Sequence, residues 1–285
     1  MTKIRTATDY NISWLQTDKP QPLMDKKIND LIIDIQNCNL SIDISNSVYE
    51  NFKNEMEEYL ISSKLNNLKQ LKNWNKKDIC LGCTQFIDTI YMSSSPQIIK
   101  GDYKYHQRLN SNIIYSEPKN LISGNPLIIA MPFPSTGNKH TDMEDILNEC
   151  LEKNIPVHID GAWITCCKDI DFDFDHPAIK SIAISLSKGL GLGWNRIGLR
   201  WTKQRQDDAI TIMNDHNMNL RAVANIGLHF LRNVPIDHLW LTHADNYYKV
   251  CKDFNLTPTK SIYLALKDNQ PVGLSPLLRY LENDN

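Results

Sequence analysis

Apolar positions along this chain follow two rhythms, and the rhythms alternate. Residues 46–71 repeat at three-and-four spacing, with Val48, Phe52, Met56, Tyr59, Leu60 and Leu65 on one face, which predicts a helix. Short continuous apolar runs follow at 79–81, 97–99, 113–115, 127–131, 157–160, 181–186 and 197–201, the pattern of strands buried on both faces. Amphipathic stretches between them predict helices at 85–92, 105–109, 142–154 and over most of 206–230. The helix at 142 is expected to start with a capping box, Thr141 at the N-cap and Glu144 three residues on. A helical pattern resumes at 235–254, followed by one strand at 261–266 and a short end at 275–285. Strands alternating with helices predict an α/β fold with a mostly parallel central sheet flanked by helices. Residues 1–45 are polar and mixed, with Lys19-Pro20-Gln21-Pro22 extended, and predict an N-terminal arm. Residues 46–232 form the expected large domain, and 233–285 a reduced C-terminal small domain.

Composition narrows the class. The 285 residues are 41% hydrophobic and 22% charged, enough to bury a substantial core. The net charge of −2 gives no sign of a nucleic-acid or anionic-membrane partner. No apolar run is long enough to span a bilayer, and the polar start lacks a signal-peptide core, so the expected location is cytoplasmic. The seven cysteines are odd in number and show no framework spacing, which predicts free thiols, the Cys80-x-x-Cys83 pair included. The eight histidines show no His-x-x-x-His spacing, and no metal site is expected.

Four segments at predicted strand ends carry candidate chemistry, where ligands bind in parallel sheets. The run Ser185-Leu186-Ser187-Lys188 through Arg196 places one lysine between a serine and an arginine, with glycines between. Serine and guanidinium donors suit a dianion, and a pocketed lysine is able to form a Schiff base with an aldehyde cofactor. Leu81-Gly82-Cys83-Thr84 ends a strand and opens a helix, whose free N–H groups suit a phosphate. Asp160 ends a buried strand, where a carboxylate needs a partner such as a protonated pyridine nitrogen, and Trp163 follows three residues on. Pro132-Phe133-Pro134-Ser135-Thr136-Gly137 makes a sharp loop after another strand. Each segment also has a plain structural counterpart: a basic surface turn, an ordinary strand-to-helix turn, a capping aspartate, a tight loop.

Taken in order, over roughly residues 45–265, these segments resemble the fold type I pyridoxal-phosphate-dependent enzymes, closest to the class I/II aminotransferases. The resemblance implies pyridoxal 5'-phosphate as cofactor, an amino acid or amine as substrate, and a homodimer. It makes Lys188 the Schiff-base residue and Asp160 the partner of the pyridine nitrogen. Trp163 takes the place of the aromatic at the phenolic oxygen, and Tyr103, with Tyr105 second, that of the ring stacked on the cofactor. The implied phosphate ligands are Gly82, Cys83, Thr84, Ser185, Ser187 and Arg196. The sequence departs from the pattern at Pro134, where an asparagine to the phenolic oxygen is usual; Asn125 and Ser135 are the candidate substitutes. The C-terminal part is short, and Arg279 is the late arginine available for a substrate carboxylate. Transamination is the first expectation. A lyase, decarboxylase or racemase of the same fold is the alternative, then a non-catalytic cofactor-binding relative.

Overall fold

The computed structural model describes residues 22–37 and 39–283. Lys19, Pro20, Gln21 and Cys38 lie outside the described residues, as does all of the expected arm before Pro22. Within the described part of that arm, Asp25 caps a helix α1 (Lys26–Gln36), its side chain accepting the Ile28 N–H.

The next helix, α2 (Ser47–Ile61), buries Val48, Phe52, Met56 and Leu60 as the periodicity predicts. It does not run on to residue 71. The Asp237 carboxylate takes the Ser63 hydroxyl and the Lys64 N–H, and the Ser63 hydroxyl takes the N–H of Leu65 and Asn66. These bonds turn the chain into a short strand β1 (Asn67–Lys69). Leu68 and Leu71 keep the helical spacing yet reach the core from a strand and a single 3-10 turn.

Then come β2 (Lys76–Cys80), α3 (Gly82–Ser93), β3 (Gln97–Ile99), α4 (His106–Leu109), β4 (Ile114–Ser116), β5 (Leu127–Ala130), α5 (Met143–Glu152), β6 (Val157–Asp160), β7 (Asp171–Asp173), β8 (Ile179–Ser185) and β9 (Gly198–Thr202). Each predicted strand in this stretch is present, shifted by at most a few residues. The capping box is not formed. Asp142 is the N-cap of α5 and makes no side-chain cap bond, and Glu144 instead pairs with Lys139. The helix expected over 206–230 is two, α6 (Ala209–Asp215) and α7 (Arg221–Asn233), broken where Asn217 takes a left-handed φ of 51°.

Seven strands form one sheet in the order β2-β9-β8-β6-β5-β3-β4. β8, β6, β5, β3 and β4 are mutually parallel, while β9 runs antiparallel to both its neighbours. The inner parallel strands are almost wholly buried, all four residues of β5 included, whereas the edge strand β4 exposes Tyr115. Each fully buried Ile, Leu or Val contributes about 1.5–3 kcal/mol over leaving it in water. The register sets Ala130 beside Asp160, Asp160 beside Ala183, Ser185 beside Gly198, and Gly198 beside Cys80. The carboxyl ends of β2, β5, β6 and β8 therefore meet at one edge.

The chain ends with α8 (His238–Asp253), a three-stranded antiparallel sheet of β10 (Thr257–Pro258), β11 (Leu264–Lys267) and β12 (Gln270–Gly273), and α9 (Ser275–Asn283). The strand expected at 261–266 lies slightly later and gains β12 as partner. Asp268 and Asn269, both at positive φ, make the two-residue turn between them.

Candidate active site

Four strand ends build one cavity of about 170 Å³. On its first wall the chain leaves β2 and enters α3 through Gly82, at φ 73°, a left-handed conformation that favours glycine. A Cβ there would stand 2.9 Å from Arg196 Nη2, so the same residue also lets the guanidinium close on the helix start. Arg196 Nε donates to the Leu81 carbonyl at 3.1 Å, and its Nη2 donates to the Thr84 hydroxyl. The first turn of α3 thus points unpaired N–H groups and a guanidinium at the cavity, a setting that attracts an anion.

The second wall is Asp160 at the end of β6. Its Oδ1 accepts the Ala162 N–H at 3.0 Å. Burial pushes its proton affinity up, against the Cys83 thiol, the Ala162 N–H and the Lys188 charge, which pull the other way. Cys83 itself is a buried thiol bonded to the Ala183 carbonyl at 3.3 Å, and burial raises it well above the thiol range. Its role is to line the wall and touch Asp160. It is no nucleophile in this state.

The third wall is the β8–β9 connection. Ser185, Ser187, Lys188 and Arg196 all line the cavity. Burial pushes the Lys188 amine down, while the charges of Cys166 and Asp160 raise it and Arg196 lowers it further. The Tyr263 hydroxyl, from the far end of the chain, donates to the Lys188 carbonyl at 2.8 Å and fixes the backbone that carries the amine. Ser187 Oγ is buried with no hydrogen-bond partner among the described residues. Of the glycines in this run, Gly191 serves packing rather than an anion. At φ 68° it lies against Met24, whose sulfur a Cβ would meet at 2.2 Å.

Trp163 and Tyr103 complete the walls, together with Pro22, Pro132 and Pro134. Tyr103 is placed by Asp102, whose Oδ1 accepts the Tyr103 N–H at 2.6 Å and whose Oδ2 accepts the Ala130 N–H at 3.0 Å. Burial pushes the Asp102 carboxyl up to about 7, against those two N–H groups. Tyr105 is turned to Asp88, with its hydroxyl bonded to Oδ1 at 2.7 Å, and is not in the wall.

The structure thus brings Lys188, Asp160, Trp163, Tyr103, Cys83, Thr84, Ser185, Ser187 and Arg196 to one cavity, with Gly82 directly behind it. Arg279 lies on α9 and does not line the cavity. Neither do the two candidate substitutes for the missing asparagine: Asn125 donates to the Ser95 carbonyl, and Ser135 packs against Gly101. Asp102 and Tyr263 escaped sequence reasoning. The acid next to a candidate ring residue was a usable signal for Asp102, whereas nothing local marks Tyr263.

No family model and no curated protein matches the chain. Solved structures do resemble it. An aspartate aminotransferase tetra mutant of Thermus thermophilus superposes with a TM-score of 0.62 at 10% identity, covering 93% of this chain and 84% of that one. An aromatic aminotransferase of Pyrococcus horikoshii gives 0.62 at 12% identity, over 91% and 81%. A PLP-bound C-S lyase of Staphylococcus hominis gives 0.61 at 12% identity, over 88% and 73%. The chain has the fold of these proteins, with its mostly parallel central sheet flanked by helices.

Proposed function

We propose that this chain is a pyridoxal 5'-phosphate-dependent enzyme acting on an amino acid or amine, and in the first place an aminotransferase. One observation carries the reading: a single cavity joins a buried amine, a buried carboxylate and a helix start closed by a guanidinium. The residues fit the cofactor. Ser187 Oγ is an orphan donor in the wall, and Gly82, without a Cβ, lets the Arg196 guanidinium close on the start of α3. The structural neighbours, aminotransferases and a PLP-bound C-S lyase, support the same reading.

Lys188 would hold the cofactor covalently, and Asp160 would pair with its ring nitrogen. Thr84, Ser185, Ser187, Arg196 and the N–H groups of α3 would hold its phosphate, with Trp163 and Tyr103 as the aromatic residues beside it. The bound cofactor supplies an electron sink for a carbanion at the substrate α-carbon. The chain's own work is proton handling and placement. Burial lowers the proton affinity of Lys188, so more of the amine is neutral and able to take the α-proton and return it. Asp160, costly as a buried anion, would be relieved by a protonated ring nitrogen and would keep that proton in place. The Tyr263 hydroxyl holds the Lys188 backbone carbonyl and so anchors the chain from which the amine projects.

A lyase is the second reading. It is favoured by Pro134, a wall residue without a side-chain donor, and by Arg196 being the one guanidinium in the wall among the described residues. We further propose a cytoplasmic homodimer. In support of the dimer, Trp194 is 96% exposed beside the cavity-lining Gly193, an apolar surface for a second copy to cover. No helix among the described residues is long and apolar enough to cross a membrane. The division into a large body over 46–232 and a reduced small domain over 233–285 is part of the same proposal.

The purified chain is mixed with pyridoxal 5'-phosphate and its visible absorption followed. A yellow complex is expected from the wild type and not from Lys188→Ala; a colourless wild type that binds no cofactor ends the assignment. An amino-acid screen then separates the two activities. Conversion of bound cofactor to its amine form marks the aminotransferase, and release of ammonia and keto acid without that form marks the lyase.

A further inference from the structure

Outside the cavity, four polar side chains from three chain segments meet, Asp25 and His243 buried and His238 and Glu282 partly exposed. Asp25 caps α1 with Oδ1, and its Oδ2 accepts from Nε2 of His238 at 2.6 Å and of His243 at 2.9 Å, both on α8. Glu282 on α9 comes from the other side and accepts the Lys26 N–H at 2.8 Å. The ligand-capable atoms of Asp25, His243 and Glu282 all lie within 4.8 Å of one another. Asp25 is 1% exposed and His243 2%.

We propose that Asp25, His243 and Glu282 form a binding site for a divalent first-row metal ion, zinc being the best fit, with His238 behind Asp25 as an outer partner. Two carboxylates brought this close, one of them buried, are an arrangement that a cation stabilises. A dication held by two carboxylates and one imidazole leaves the site with no net charge. Imidazole nitrogens with carboxylate oxygens suit zinc and its neighbours, whereas calcium and magnesium take all-oxygen sets. Ligation uses the Nε2 lone pair of His243. His238 stands behind Asp25, its Nε2 2.6 Å from Oδ2 and its Nδ1 3.3 Å from the Thr242 hydroxyl, and orients that carboxylate. The histidines are five residues apart, and Asp25 lies 213 and 218 residues away from them, so no sequence spacing announces the set.

The consequence reaches the cavity. The ion ties α1 to α8 and α9, and with α1 the segment 22–25, of which Pro22 lines the cavity and Met24 packs on Gly191. The site stands whether or not the proposed cofactor chemistry is right.

The test uses the full chain after chelator treatment and dialysis. Titration calorimetry with Zn2+ is expected to show one equivalent bound, with a higher Tm. Glu282→Gln and His243→Gln are each expected to weaken binding by at least about ten-fold, the low end for disturbing even outer partners of a metal. Glu282→Gln keeps an acceptor for the Lys26 N–H, and circular dichroism checks that it folds. Cobalt substitution is expected to give a ligand-field spectrum with no thiolate charge-transfer band, which separates this site from the cysteines. Mg2+ and Ca2+ are expected not to compete. Absence of zinc binding, equal affinity in Glu282→Gln and His243→Gln, or a thiolate-type cobalt spectrum would each overturn the proposal and leave a hydrogen-bonded cluster.

Discussion

The central sheet buries charge in two ways. On β9, Arg200 is 3% exposed at its side chain and donates to Asp78 and Thr211, each at 2.7 Å, and to Asp208. Burial alone would push Asp208 up, but Arg200 and the Thr211 N–H more than reverse it, and Arg200 in turn is raised by its two carboxylates. At the cavity the buried carboxylates of Asp160 and Asp102 are met mainly by N–H and S–H donors, and both are pushed up. The first arrangement pairs its charges by itself, Arg200 Nε alone being left without a partner among the described residues, and ties β9 to β2 and α6. The second is stable only at a cost, and under the proposed function that cost falls for Asp160, which lines the cavity, when a protonated ring is bound there.

The sharpest break in this contrast is Lys188→Ala. It is expected to lower turnover by at least about a thousand-fold while leaving the Tm equal or higher, because an amine that is costly to bury is gone. Steady-state assay and thermal melts read both. The opposite signature is expected for Arg200→Ala: about 4 kcal/mol lost in urea unfolding, since Asp78 and Asp208 are left without their partner, and little change in cofactor affinity in the fraction that folds.

Asp102 tests the contrast through pH. Its folded value of about 7 lies above the ordinary 3.8, so the folded state holds the proton more tightly. The stability it contributes is full below that ordinary value and is lost as pH rises toward about 7. Compared with Asp102→Asn, the wild type is expected to lose roughly 2–3 kcal/mol between about pH 5 and pH 8 by urea unfolding. Parallel curves for the two proteins would show that Asp102 is not the strained charge described above. The smallest effect is expected from Thr84→Val, which removes the acceptor for Arg196. Cofactor binding should weaken by about ten-fold, with the Tm of the cofactor-free protein within a degree or two. Fluorescence titration with pyridoxal 5'-phosphate measures it.

Much of the sheet was legible because buried parallel strands are short apolar runs, and the runs at 97–99 and 157–160 coincide with β3 and β6. The helix starting at 46 was legible at its beginning and not at its end, because Asp237, far away in sequence, turns the chain at Ser63. Thr141 and Glu144 had the spacing of a capping box, yet Lys139 drew Glu144 away. The residues from Cys83 to Arg196 that line the cavity lie near strand ends, and their roles rest on the resemblance. Arg279, Asn125 and Ser135 were chosen for residue type alone, and none lines the cavity.

By itself, then, the sequence determined the alternation of strands and helices and put an amine, a carboxylate and a helix start at the ends of separate strands. Periodicity and turn chemistry are local, and local rules suffice for that much. Only the tertiary structure decided that those ends meet at one edge, that Tyr263 holds Lys188, that Asp102 holds Tyr103, and that Asp25 reaches two histidines of α8. Each of these contacts joins residues whose neighbours in sequence say nothing of one another. They form because the sheet register and the packing of α1, α8 and α9 bring the segments together, and burial then makes every polar group there find a partner.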